Sequence, residues 1–417
     1  MEPRTYDPDR DFESFFRLLL EAGWAQDTQP AREAQVILAA CGRVLVADLG
    51  GEVESFASTH EGRMLHLDSE LPLSVVSGVI TGRVARQRGL ALRLTAEVIA
   101  ADAVERGAAV AILGIFDQGF YDRLGFGTGP YDAYAAFDPA EISVKERPAT
   151  PPVRLGADDW ERIHAARVAR RSVHGSMVID DPRWTQSELL RRENAIGLGF
   201  SDPATGEITH HLFAAPEDGT SGAWRVAWLA YRTPRQMREL MSLLASMADQ
   251  LKLIRLIEPP GLQMQSLVNR PFRRRGLSVG SKLEATSRVF AWWQARILDL
   301  EACVAATRLP GSESVTFGLT LTDPVTEYLS PATREKWSGV EGEWTVTLGP
   351  ESRAERGAAS GVPRLRASVN TFTRLWLGAA RPADLAFLAP DLDAPAELLA
   401  RLDAVLRLPP PRPDWDI

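Results

Sequence analysis

One stretch constrains the fold of this chain more than any other. An apolar run at 73–81 leads through Arg86-Gln87-Arg88-Gly89 into a helical stretch that reaches residue 106, and a second apolar run follows at 109–116. Leu90, Leu94, Val98 and Ala101 fall on one helical face, and Gly107 stands where such a helix would end. The run 109–116 is nearly all apolar, as in a strand buried on both faces. A strand, a short Arg/Gly turn and a helix together make an anion site. The unpaired amides of the first helical turn point outward, and the helix dipole favours negative charge there. Gly89 lets the backbone approach a ligand closely. Arg86 and Arg88 add cationic partners for phosphate, and the small Ala91 keeps the first turn uncluttered. The segment therefore reads as a cradle for a pyrophosphate.

The pattern gains its meaning from context. Arg273-Arg274-Arg275-Gly276-Leu277-Ser278 has nearly the same form, but the residues before it lack a convincing strand and include Pro271. That copy is expected to be a solvated basic loop. Tyr121 stands thirty residues beyond Ala91, in Gly119-Phe120-Tyr121-Asp122-Arg123-Leu124-Gly125-Phe126-Gly127. A phenol titrates near 10, above an ordinary thiol at about 8.5, so it stays protonated and can pass its proton to a departing thiolate. The three glycines suggest a tight turn approached by a ligand rather than plain core.

A chain of 417 residues exceeds one ordinary core and is expected to form roughly two to three domains. Apolar residues make up 45% and charged residues 24%, which is a globular composition. The net charge of −8 makes nucleic acid a poor partner and suits a cationic small molecule. The two cysteines, Cys41 and Cys303, are far apart and in no CxxC, which fits a reducing cytoplasm and neither a disulfide framework nor a zinc–thiolate site. No signal peptide is visible at Met1-Glu2-Pro3-Arg4, no apolar run of about 18 residues predicts a membrane span, and no solenoid repeat is found.

Local patterns order the rest. A helix is expected at 11–22, a hairpin at 43–48 and 53–59 around Gly50-Gly51, and a first boundary at the prolines of 145–153. A second unit runs from Arg154 to about Gly276. It has a helix at 158–171, strands at 195–200, 207–214 and 223–231, a helix at 234–251 and a strand at 254–257. A third unit opens with a helix-like segment containing Val289, Trp292 and Ile297. Strands follow at 314–321, 342–348 and 364–370, and helices at 372–377 and 394–406. Pro409-Pro410-Pro411-Arg412-Pro413 reads as a stiff spacer carrying Asp414-Trp415-Asp416-Ile417.

The residues at 86–92 and 119–127 resemble the GNAT acetyltransferases, whose signature is Gln/Arg-x-x-Gly-x-Gly/Ala. More narrowly, the chain resembles the Eis (enhanced intracellular survival) aminoglycoside acetyltransferases. The segment 119–127 follows that family's Gly-x-Tyr-x-Arg-x-Gly-aromatic-Gly. Leu321-Thr322-Asp323-Pro324, Gly342-Glu343-Trp344 and 375–385, with Gly378 and Ala383-Asp384-Leu385, are similar to its C-terminal pattern. The resemblance covers essentially the whole chain. It implies an α+β architecture of tandem GNAT domains, with mixed central sheets flanked by helices, plus a sterol-carrier-like α/β domain. The units would be 1–147, a second GNAT-like unit without the cofactor motif at 148–284, and 285–417 with its tail.

The resemblance also implies roles. Acetyl-CoA would be the co-substrate, with no metal. Val79, Ile80 and Thr81 would pair with the pantetheine arm, and Arg86, Gln87, Arg88, Gly89, Leu90, Ala91 and Leu92 would wrap the pyrophosphate. Tyr121 would be the general acid. The terminal carboxylate on Ile417 would act on the amine, fixing a cationic substrate and relaying a proton, and would place an ordered tail in the first domain. Trp24 and Asp27 fit an acidic, aromatic amine site. Two departures stand out: Arg83-Val84-Ala85 replace the family's Pro and polar residue, and Gln87 removes one charge from the cradle. The implied activity is N-acetylation of a small cationic, aminoglycoside-like amine by a cytoplasmic homo-oligomer, a hexamer in the family. No nucleic acid or membrane would take part. The competing reading is a carrier of lipid or another hydrophobic ligand with a vestigial acetyltransferase domain.

Other features carry less. His210-His211 would point to opposite faces of a strand, which disfavours a shared metal. His60 and His66 do not make ligand spacing with Cys41. Trp292-Trp293, expected in a helix, reads as core and interface.

Overall fold

The structure is a computed structural model that describes residues 2–117, 119–192, 194–217 and 222–417, the side chains of 272–275 excepted. Among the described residues three sheets form a mixed α/β molecule. The first is eight-stranded and runs in the order Arg4–Thr5, Arg43–Leu49, Glu52–His66, Ser69–Thr81, Val110–Gly114, Trp293–Ile297, Gly127–Thr128, with Met177–Ile179 on the side of Glu52–His66. The strands Ser69–Thr81 and Val110–Gly114 are parallel and joined by the helix Leu90–Glu105. Ala111 and Leu113 face that helix in one cluster with Leu94, Val98 and Ile99. Val110 and Ile112 face a second core that continues into the C-terminal part of the chain. Burial on both faces is why this strand reads as unbroken apolar residues.

The parallel pairing runs from Leu73 opposite Val110 to Val76 opposite Leu113. Just beyond it the strand bulges. Gly78 takes φ +58°, and the register against Glu52–His66 shifts between Phe56 and Ser58. Bulges bend a strand and increase its twist, so Val79, Ile80 and Thr81 leave Val110–Gly114 while staying paired to Ser55 and Phe56 on their other side.

The second sheet has seven strands in the order Thr286–Phe290, Asp132–Phe137, Leu253–Ile257, Ala223–Ala230, Ile208–Pro216, Ile196–Ser201, Val153–Leu155. The helix Pro234–Ser246 packs Met237, Leu240, Met241 and Leu244 onto it. The third sheet, Arg353–Arg356, Gly342–Leu348, Val315–Thr322, Arg364–Ser368, is covered by the helices Val369–Trp376 and Ala396–Val405.

The sheets draw strands from across the expected unit edges. Asp132–Phe137 pairs with Leu253–Ile257 in the second sheet. Trp293–Ile297 lies in the first sheet, between Val110–Gly114 and Gly127–Thr128. The expected helix around Val289, Trp292 and Ile297 is therefore two strands, and Trp293 lies in a strand. The segment is rich in β-branched and aromatic residues, and rows of backbone groups on Asp132–Phe137 and Val110–Gly114 stand ready to pair with it. The basic copy of the cradle is also corrected. Residues Pro271–Ser278 form a helix rather than a loop, with Pro271 in its first turn, where a missing amide costs nothing. No helix among the described residues is long and apolar enough to cross a membrane.

Candidate active site

The turn after the bulged strand passes through a short 3-10 helix, Arg83–Ala85, and reaches the helix Leu90–Glu105 at Gly89. Gly89 has φ +70° and offers no side-chain cap, so the first-turn amides keep their donors for an outside acceptor. A Cβ built on Gly89 would meet nothing within 4 Å. The left-handed φ favours glycine here, and open space lies in front of it. Gln87 is also left-handed, with φ +61°. A non-glycine residue in that region stores strain, which clusters at ligand-binding turns. Arg86, Gln87, Arg88 and Gly89 are exposed, Ala91 is half-buried, and Leu90 and Leu92 are buried.

Val79, Ile80 and Thr81 are half-buried. The Ser55 hydroxyl donates to the Ile80 carbonyl at 2.9 Å and shares a 2.8 Å bond with the Thr81 hydroxyl, holding this strand end to its far neighbour. Val79 packs against the same apolar cluster that holds Leu90, Leu92 and Tyr121. The strand end, the cradle and the tyrosine thus converge.

Tyr121 opens the 3-10 turn Tyr121–Leu124 and is buried, with Phe120 at 4.9 Å and Phe126 at 6.1 Å between ring centroids. Burial, with the charge of Asp117 adding to it, pushes the phenol up to about 12. The group holds its proton throughout the neutral range. Two of the three glycines of this turn, Gly125 and Gly127, have another cause than ligand approach. A Cβ on Gly125 would lie 2.5 Å from Val369 Cγ1, and one on Gly127 would lie 2.3 Å from the Asn370 carbonyl oxygen. At both positions the C-terminal unit comes too close for a side chain.

Ile417 lies at the end of the central strand. A Cβ on Gly114, the last residue of the central strand, would stand 2.8 Å from an Ile417 carboxyl oxygen. Arg170 donates to the Asp414 carboxylate at 2.9 Å and to the Asp414 carbonyl at 2.7 Å, and Arg192 pairs with Asp416 at 3.0 Å. Trp415 is buried with the Arg167 guanidinium 4.0 Å from its ring centre. The Met177 amide donates to Pro413.

Trp24 is exposed and meets Phe116 edge-on at 5.8 Å between ring centroids. Asp27 is exposed and bonded to Arg32 at 2.7 Å. Phe116 is 80% exposed. It follows the strand Val110–Gly114 and was missed as a separate surface residue because the apolar run 109–116 reads as one strand. Asp117, which acts on Tyr121, gave no sequence signal.

The neighbouring Cys41 and His60 make no reactive pair. Burial pushes the Cys41 thiol up to about 12 and holds His60 down at about 3, though they lie 3.7 Å apart, so no thiolate forms. His210 and His211 are both buried. Among the described residues no group of three or more His, Cys, Asp or Glu is disposed to hold a metal.

Residues 3–129 match the acetyltransferase (GNAT) domain family, so the unit that carries the bulged strand, the cradle and Tyr121 is an acetyltransferase domain. The whole chain superposes on solved structures at low sequence identity, which speaks to the fold. Eis1 from Mycobacterium abscessus is 17% identical with a TM-score of 0.74, covering 100% of each chain. A GCN5-related N-acetyltransferase from Kribbella flavida is 19% identical with a TM-score of 0.74, covering 100% of this chain and 98% of its own. A protein from Enterococcus faecalis V583, described as a probable N-acyltransferase, is 18% identical with a TM-score of 0.77, covering 98% of this chain and 97% of its own. No curated protein matches the chain.

Proposed function

We propose that this N-acetyltransferase moves the acetyl group of acetyl-CoA to an amine of a small cationic, aminoglycoside-like molecule. The carrying observation is the convergence of an uncapped, glycine-opened helix start, a strand end bent away from its parallel neighbour, and a buried tyrosine. The first-turn amides of Leu90, Ala91 and Leu92, with Gly89 and the flanking Arg86, Gln87 and Arg88, would hold the pyrophosphate. Backbone groups of Val79, Ile80 and Thr81 would pair with the pantetheine arm as an added strand. The co-substrate supplies an activated acetyl carbon. The amine attacks that carbon, the C–S bond breaks, and Tyr121 hands its proton to the departing sulfur. A phenol near 12 is a weak acid against a thiol near 8.5. The same burial disfavours a free thiolate, which brings the two closer. The Ile417 carboxylate would hold the substrate ammonium and relay its proton, with Trp24, Phe116 and Asp27 at the acceptor side.

Within this reading two GNAT-like units and a sterol-carrier-like unit, expected at 1–147, 148–284 and 285–417, exchange strands at those edges, in a cytoplasmic homo-oligomer. The carrier reading is not favoured. Phe317, Leu319, Val346, Leu365, Phe372 and Trp376 fill the interior of the third unit and join the core of the first.

The test is acetyl-CoA turnover with neomycin or spermine. Tyr121→Phe should lower kcat by about 100- to 10,000-fold, the range for losing a positioned proton donor. Equal rates would remove Tyr121 from the mechanism.

A further inference from the structure

We propose that Asn370, at the start of the helix Val369–Trp376, is a positioning residue for Tyr121, and that the third unit sets the geometry of the acid. This rests on the reading of Tyr121 as proton donor. The Asn370 side-chain amide donates to two carbonyls of the tyrosine's turn, Asp122 at 2.8 Å and Phe126 at 3.0 Å. Between them, the Leu124 carbonyl accepts from Arg296, whose guanidinium is anchored on Asp323 at 2.7 Å. Three alternate carbonyls of one turn are thus held by side chains that follow residue 290 in the chain. The Asp122 carboxylate is held as well, by Gln294 at 2.6 Å. The Tyr121 carbonyl is used within the turn by the amides of Gly125 and Phe126.

The absence of side chains at Gly125 and Gly127 belongs to the same arrangement, since Val369 and Asn370 occupy the space that Cβ atoms would need. A turn that packed only on its own unit would face no such exclusion. A turn held at its carbonyls has little freedom to drift, and proton transfer depends on the donor oxygen standing within hydrogen-bond reach of sulfur. Asn370 is half-buried and supplies two hydrogen bonds to the turn. Its removal should displace the turn without unfolding the unit.

The experiment uses the full chain with acetyl-CoA and neomycin, and compares Asn370→Ala, Asn370→Asp, Tyr121→Phe and the Asn370→Ala/Tyr121→Phe double variant. Asn370→Ala should lower kcat by roughly ten- to a hundredfold, the scale of a displacement of about 1 Å, and leave the calorimetric Kd for acetyl-CoA unchanged. Asn370→Asp should be worse, because it turns a carboxylate oxygen toward two carbonyls. Should it fail to fold, Asn370→Ser, which shortens the donor, takes its place and should match Asn370→Ala. In the Tyr121→Phe background, Asn370→Ala should cost nothing further, since there is no proton left to aim. A wild-type kcat for Asn370→Ala beside an impaired Tyr121→Phe overturns the positioning role and leaves the acid in place. So does the same fold-loss in both backgrounds. A wild-type rate for Tyr121→Phe overturns both readings.

Discussion

Tyr121 shows what a single residue discloses before and after folding. Its phenol, its place after an apolar strand and its glycine-rich surroundings marked it as a proton donor. Its burial and the nearby Asp117 charge were not legible, because both come from the turn that presents it. With the phenol pushed up to about 12, the acid form persists well past the usual range for tyrosine. The kcat of the wild-type enzyme should therefore not fall between pH 7 and pH 10. A descending limb with a midpoint below 10 that disappears in Tyr121→Phe would show an unburied phenol. The reason for Gly125 and Gly127 was also hidden. Their neighbours Val369 and Asn370 lie more than 240 positions away in the chain, and no local pattern reports such an approach.

At the scale of elements, the strand, turn and helix around Gly89 were readable because helical spacing and a two-faced apolar strand are local signals. Observed elements at Ser69–Thr81, Leu90–Glu105 and Val110–Gly114 agree with those expectations. Gly89→Val tests the turn. The left-handed φ of +70° should cost the fold about 1–2 kcal/mol for a residue with a Cβ. The branched side chain would stand in the open space where phosphate is proposed to lie. The Kd for acetyl-CoA, measured by calorimetry, should rise at least about tenfold, the equivalent of about 1.4 kcal/mol. An unchanged Kd would place the nucleotide elsewhere. The basic copy at 273–278 and the strands Thr286–Phe290 and Trp293–Ile297 escaped the same reasoning. One is a helix with its proline at the start. The others are short segments whose strand form depends on partners distant in sequence.

Across the whole molecule, the tail and the buried histidines yield two further expectations. Trp415 is buried against Arg167 and Arg170. Trp415→Ala should cost about 3 kcal/mol or more of stability, read as a lowered Tm. Removal of residues 414–417 should lower kcat and leave the Kd for acetyl-CoA unchanged, and full activity without them would exclude the terminal carboxylate. His60, His66 and His211 are held down at about 3 and His164 at about 4, with His174 lowered too, all chiefly by burial. His210 is also held down, at about 4, by burial, although Glu239 lies 3.1 Å away. Above about pH 6.5 both folded and unfolded histidines are neutral and nothing is lost. Below it the unfolded chain binds protons that the folded chain refuses, so stability falls as pH drops toward the folded values, by about 1.4 kcal/mol per pH unit for each fully titrating group. Denaturant midpoints should decline from pH 6.5 to pH 4. A flat profile would show that these histidines are hydrated in the fold.

Local chemistry along the chain was enough to specify the phosphate-type turn, the helix behind it, the two-faced strand and the candidate acid, because periodicity, glycine and charge act over a few residues. Folding alone decided that Trp293–Ile297 enters the first sheet, that Asp132–Phe137 enters the second, that Ile417 comes to rest at Gly114, and that Asn370 grips the turn of Tyr121. Each of these joins residues far apart in the chain. Such contacts form only when buried surface and backbone pairing across the whole molecule outweigh the entropy of bringing them together.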